Sequence, residues 1–259
     1  MLRQAEIDAF VSDGYAAVRG AVPGTVVQAC QGVIWSELAG HGVTREDPAT
    51  WTAPVVRINC PEGGPFAEAG TTAPVWEACD QLIGAGRWWQ RRGVGGTIPV
   101  RFPSGDDPGD AGWHIESSFQ AGQQWRVNLA SRGRGLLALY LFTDVTEADA
   151  PTRLRPGSHV DVPPILAAVG DEGMDWGPAA QQAARASAHR PTACATGRAG
   201  DVFLCHPFLV HAASWPHRGR SPKMMAQPGV ALHTQFPLGS SPSPVETAIL
   251  RGLTAGCHS

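Results

Sequence analysis

Residues 200–214 read GDVFLCHPFLVHAAS. Two apolar runs of strand length, 201–205 and 209–213, are parted by His206-Pro207, and a proline there marks a turn between strands. The same texture spreads outward. After Gly95, short apolar runs at 97–102, 112–116, 125–130, 136–142, 153–155 and 224–232 are each bounded by Gly, Pro or Asp. That rhythm predicts a sandwich or closed barrel. With 31 Gly, 22 Pro and only 17% charged residues, the composition also suits strands and turns better than a helical bundle. Helices are predicted at 162–169, 179–188 and 245–253. The first ninety residues read as helical: 5–11 stopping at Gly14, 26–38, and 75–83 closed by Gly84. In 26–38, Val26, Val27, Cys30, Val33, Ile34 and Leu38 share one face at helical spacing. The expectation is one domain over 1–259, mainly β, with a helical N-terminal cover (1–92), a β core (93–240) and a closing helix (241–259).

Charge excludes some partners. Twenty basic and 23 acidic residues, with no basic run, leave no footprint for nucleic acid. The longest apolar stretch, 136–142, is far too short for a bilayer, and the opening MLRQAEIDAF carries charges where a secretory segment needs an apolar run. The six cysteines (Cys30, Cys60, Cys79, Cys194, Cys205 and Cys257) form no CxxC pair. The reading is a cytoplasmic protein whose reduced thiols pack as small apolar residues, with no membrane partner. The sequence leaves oligomeric state unread.

Chemistry concentrates in GWHIESSF, residues 112–119. In a strand, His114 and Glu116 at i and i+2 share a face and can reach one metal ion. A distal histidine would complete a two-histidine, one-carboxylate face that leaves positions open on iron(II). A second H-x-[DE] occurs at His159 to Asp161, but Asp161 precedes Val-Pro-Pro and reads as a helix N-cap, while His159 follows a Pro-Gly-Ser turn. For the distal position the candidates are His206 and His211. His211 sits in an apolar run, where an imidazole needs either a metal or a buried hydrogen bond.

Beyond these residues, the chain resembles the phytanoyl-CoA dioxygenase family. The resemblance is carried by GWHIESSF, then LYLFTDVTEADAPTRLRPGSH, GDVFLCHPFLVHAAS and MMAQP, with FVSDGYAAVRGAVP at the N-terminus. It implies a double-stranded β-helix (jelly roll, cupin-like) binding Fe(II) and 2-oxoglutarate and using O2. His114 and His211 match the family's metal histidines, and Glu116 stands where most members have Asp. Thr152 sits where related enzymes contact the co-substrate. Lys223 stands where the family usually places an arginine to hold the far carboxylate of 2-oxoglutarate. Lysine keeps the sign of that charge but lacks the bidentate fork. Arg218 and Arg220 are nearby alternatives for this role, although HRGRSP also reads as a solvated turn. Arg101, alternating with Val100 and Phe102, points inward to a carboxylate or outward from an edge strand.

The activity implied is hydroxylation of an unactivated C–H bond in a small molecule, of the secondary-metabolite kind, with release of succinate and CO2. Two rivals share the fold: a cupin-like metal-dependent isomerase or hydrolase, and a non-catalytic jelly-roll binding protein. Nine tryptophans against two tyrosines are unusual, and Trp88, Trp89, Trp113 and Trp125 are candidates for pocket walls as well as core.

Overall fold

The computed structural model describes residues 1–255. Cys257 and the last residues of the 241–259 segment lie outside that range. In chain order the elements are α1 (Gln4–Asp13), β1 (Tyr15–Val18), α2 (Gly24–Ala39), β2 (Val55–Asn59), α3 (Pro65–Gly70), α4 (Ala73–Ile83), β3 (Thr97–Arg101), β4 (Phe119–Ala121), β5 (Gln124–Val127) and β6 (Leu136–Leu141). There follow β7 (Arg153–Leu154), α5 (Pro163–Leu166), β8 (Met174–Asp175), α6 (Trp176–Ala186), β9 (Ala193–Cys194), β10 (Val202–Cys205), β11 (His211–Ala212), β12 (Met225–Ala226), β13 (Gly229–Val230) and α7 (Pro244–Ala255).

The chain is mainly β, with antiparallel pairing throughout the named sheets. One sheet runs β1–β10–β6–β12, with β13 also on β6; a three-stranded sheet runs β11–β7–β9; β4–β5–β8 and β2–β3 form two more. The run LLALYLF is apolar at every position because β6 is buried on both faces. Its even residues, Leu136, Ala138 and Tyr140, join Val202 and Leu204 in the core beneath the helices. Its odd residues, Leu137, Leu139 and Leu141, join Phe203 and Cys205 against Leu154, Leu209 and Met225. The alternation of strand side chains therefore builds two cores from one sheet.

Four expectations need correction. The first ninety residues are not all helical, because β1 forms the edge of the main sheet on β10 and β2 pairs with β3. Residues 112–116 form no strand, only a single bridge at His114. Asp161 does not cap a helix: Val162 occupies that position without a side-chain bond, and Asp161 forks onto Arg190 at 3.0 and 2.7 Å. The expected helix at 162–169 is one short turn, α5. No described helix is long and apolar enough to cross a membrane.

Candidate metal centre

His114 and His211 meet although nearly a hundred residues separate them. Each backbone N–H donates to the other's carbonyl at 2.9 Å, and the imidazole centroids lie 4.3 Å apart. Side chains of such a pair share a face. His211 in turn pairs with Leu154 of β7, a residue of the inner core, so both rings face the same interior. The Nδ1 of His114 lies 2.9 Å from the Gly112 carbonyl, and that of His211 lies 3.0 Å from the Leu209 carbonyl. A carbonyl at Nδ1 demands a proton there, which leaves each Nε2 as a free lone pair. Burial, then the neighbouring His114, pushes His211 down to about 3, so it is neutral at any ordinary pH. A pair of imidazoles whose Nδ1 atoms are both committed to backbone carbonyls suits a divalent metal ion through Nε2.

Glu116 does not join them. The ladder slips directly after the histidine bridge: Ser117 N–H donates to the Pro207 carbonyl at 2.9 Å, while Leu209 N–H turns back to His206. The rule that i and i+2 share a face needs a continuous strand, and here the strand is broken. The carboxylate instead meets Arg134, Oε1 to Nε 3.3 Å. Burial pushes the Glu116 carboxyl up, and Arg134 and Arg91 pull it back. Among the described residues no three His, Cys, Asp or Glu side chains are grouped to hold a metal ion. The imidazole pair fits iron; the carboxylate, where it stands, does not.

The other candidates fall in several places. Thr152, two residues before Leu154, is buried with its Oγ1 3.8 Å from the Met225 sulfur. Lys223, two residues before Met225, is fully buried, and its Nζ donates to the Ala150 carbonyl. Arg101 faces Lys223 across a bridge and binds Asp110 at 2.6 Å, which Arg57 also pairs. Arg101 is therefore inward, not an edge-strand surface residue. His206 and His159 stack on each other at 4.9 Å and bond the carbonyls of Val245 and Val11, away from the metal candidates. Arg218 and Arg220 flank Gly219 in a turn bonded through its backbone to Ala148.

Two neighbours, Trp176 and Arg134, escaped the sequence reading. Trp176 packs edge-on against the His114 ring at 6.1 Å and donates to the Ile115 carbonyl at 2.9 Å. Trp113 carries Arg155 and Arg153 on its ring, 4.1 and 4.7 Å from the centroid. Trp88 is buried, whereas Trp89 and Trp125 are exposed. Arg134 had one available signal: a charged residue two positions ahead of the all-apolar run at 136–142.

Residues 79–225, more than half of the chain, match the family described as Phytanoyl-CoA dioxygenase (PhyH). The chain belongs to the phytanoyl-CoA dioxygenase family. By that membership it is an Fe(II)- and 2-oxoglutarate-dependent oxygenase, with Fe(II) and 2-oxoglutarate as its cofactor and co-substrate. Among solved structures it is similar to the epimerase SnoN in complex with Fe3+, alpha ketoglutarate and nogalamycin RO. That likeness has TM-score 0.58 and 16% identity, covering 88% of this chain and 82% of that one. It is similar also to HygX from Streptomyces hygroscopicus with nickel, 2-oxoglutarate and hygromycin B bound (TM-score 0.55, 15% identity, 89% of this chain and 87% of that one). A third is EctD from S. alaskensis with 2-oxoglutarate and 5-hydroxyectoine (TM-score 0.57, 17% identity, 89% and 76%). At such identities these likenesses establish the fold alone. No curated protein matches the chain.

Proposed function

We propose that this family member hydroxylates an unactivated C–H bond of a small molecule, from a site built on a double-stranded β-helix core in a cytoplasmic enzyme. The single observation that carries the reading is the paired imidazoles of His114 and His211, both with Nδ1 on a backbone carbonyl and Nε2 free. In this reading the two Nε2 atoms hold iron(II), and Glu116 becomes the third protein ligand on leaving Arg134. Bound together, iron(II), 2-oxoglutarate and O2 supply the oxidising equivalents, with succinate and CO2 as the co-products. Lys223 takes the far carboxylate of 2-oxoglutarate, Arg101 adds positive field behind it, and the Thr152 hydroxyl offers one hydrogen bond. The buried apolar wall of Leu137, Leu139, Leu154 and Met225 supports this placement, since it excludes water from the charge pair and strengthens it. Trp176 and Trp113, packed beside His114 and under Arg153 and Arg155, are the walls a substrate would meet. The SnoN complex holds nogalamycin RO and the HygX complex hygromycin B, which supports a small secondary metabolite as substrate. Unpaired, buried Cys30, Cys60, Cys79 and Cys205 accord with a reducing compartment.

The test is succinate formation from 2-oxoglutarate by the purified chain, with and without added Fe(II), across a panel of polar natural products. Iron-dependent succinate that disappears in His114→Ala and His211→Ala supports the reading. Normal iron binding with no succinate on any substrate favours the cupin-like isomerase or hydrolase instead.

A further inference from the structure

Glu116 and Arg134 are set against each other by more than their charges. The Ser117 hydroxyl, one residue on from Glu116, bonds the Ser131 hydroxyl at 2.8 Å in a fully buried contact. Ser131 in turn donates to the Arg134 carbonyl at 2.7 Å. The segment after the metal histidine is thus tied to the loop that delivers the guanidinium. The floor beneath the pair is Gly229 of β13. A methyl group there would lie 2.8 Å from Cδ and Nε of Arg134 and 3.0 Å from Oε1 of Glu116, so only glycine leaves room for both. The neighbouring Arg91 is committed to the carbonyls of Val94 and Gly229 at 2.9 and 2.6 Å. Arg134 makes no other ion pair among the described residues. Its Nε is buried and, apart from this contact, lacks a hydrogen-bond acceptor.

We propose that Arg134 is the positioning residue of the metal site. It holds the Glu116 carboxylate off the histidine pair, and an incoming divalent ion gains its third protein ligand only by taking that carboxylate from the guanidinium. The inference rests on the proposed metal role of His114 and His211. It gives a reason for glutamate at a position where the family resemblance implies aspartate in most members. The extra methylene is the reach that lets one carboxylate serve either Arg134 or the imidazoles, whereas a shorter side chain is confined to one. The ion pair then acts as a competitor, and its strength subtracts from metal affinity. A partly buried, charge-assisted contact of this kind sets that competition at about tenfold.

The experiment measures Co(II) affinity of the metal-free full chain, by competition with a chromophoric chelator, in a double-mutant cycle of Arg134→Met and Glu116→Gln. The expected result is that Arg134→Met tightens Co(II) about tenfold when Glu116 is present and by less than about twofold in the Glu116→Gln background. Arg134→Lys, which keeps the charge, is expected to stay near the wild type. Equal tightening in both backgrounds overturns the proposal, because it is what simple charge repulsion gives; so does no change, or weaker binding, in Arg134→Met. Should Arg134→Met fail to fold, Arg134→Gln carries the same comparison. His211→Ala reports separately on the underlying reading: Co(II) affinity unaltered in that variant removes the metal site itself, whatever Arg134 does.

Discussion

Arg101 and Lys223 exchange both backbone hydrogen bonds, at 3.0 and 2.8 Å, and bury both their side chains on one face. Their charges are treated differently. Arg101 is answered by Asp110, whereas the Lys223 ammonium rests on the neutral carbonyl of Ala150. Burial, then Arg101, brings Lys223 down to about 7, with Asp110 and Asp149 opposing; His217 is the other titratable group facing it. In the proposed function this lysine receives the far carboxylate of 2-oxoglutarate, which it can do only while protonated. Affinity for 2-oxoglutarate, measured calorimetrically with Ni(II) in place of iron, is expected to hold steady below pH 7. It should weaken about tenfold per pH unit above it. Lys223→Arg keeps its charge, so its affinity should be flat to pH 9. A wild-type profile that is flat as well would remove Lys223 from the anchor.

The same lysine makes a prediction about stability that needs no ligand. Its folded pKa lies below the unfolded value of 10.5, so between about 7 and 10.5 the unfolded chain binds the extra proton and stability rises with pH. Below pH 7 the cost of a buried charge is fully present, on the order of a few kcal/mol. Lys223→Met is therefore expected to be more stable than the wild type at pH 6, with the gap shrinking at pH 8 and nearly closed at pH 10. Urea melts at the three pH values check it; a gap independent of pH contradicts the burial argument.

Much of this was legible in the residues. The strand rhythm after Gly95 and the helices α2, α4, α6 and α7 follow from period, and the meeting of His114 with His211 follows from the family resemblance. What was not legible shares a cause. β1 and β2 are short strands that owe their existence to partners far along the chain, β10 and β3, and local period says nothing of partners. The 112–116 segment has the alternation of a strand, but the turn at 206–209 breaks the ladder just after His114, and Glu116 meets Arg134. Once the ladder breaks, alternation no longer assigns a side chain to a face, and only the partner segment records the break.

Gly14 illustrates a position that sequence marked as a helix stop but whose cost is tertiary. It ends α1 at φ 87°, its N–H closing on Phe10 and its carbonyl accepting from His206 N–H at 2.7 Å. A methyl group there would meet the His159 ring nitrogen at 2.6 Å and Leu209 Cδ1 at 2.9 Å. Gly14→Ala combines left-handed backbone strain with a clash against a buried ring. We expect a loss of about 2–4 kcal/mol by chemical denaturation. Gly20, also at positive φ but with open space around it, should lose only about 1 kcal/mol on the same change. Equal losses at the two sites would mean that strain alone, not the His159 contact, sets the cost.

His159 and His206 face each other 4.9 Å apart, both buried and both neutral. His206 accepts from Phe208 N–H at Nδ1 and donates from Nε2 to Val245, so neither nitrogen is free to take a proton. Burial holds His159 down at about 4, with Arg190 adding to it, and holds His206 well below its ordinary value, where a charge on the neighbouring His159 would lower it further. The unfolded chain protonates both near 6.5, so between pH 6.5 and about 4 it binds protons that the native state refuses. Stability is then lost as pH falls, at up to about 1.4 kcal/mol per pH unit for each histidine, on top of any carboxylate contribution. His159→Gln is expected to be less stable at pH 7, having lost the bond to Val11, yet to fall less steeply between pH 6.5 and 4.5. The quantity to compare is that slope, from urea melts across the window. An unchanged slope in the variant would show that the pair already opens to water, and that acid lability arises elsewhere.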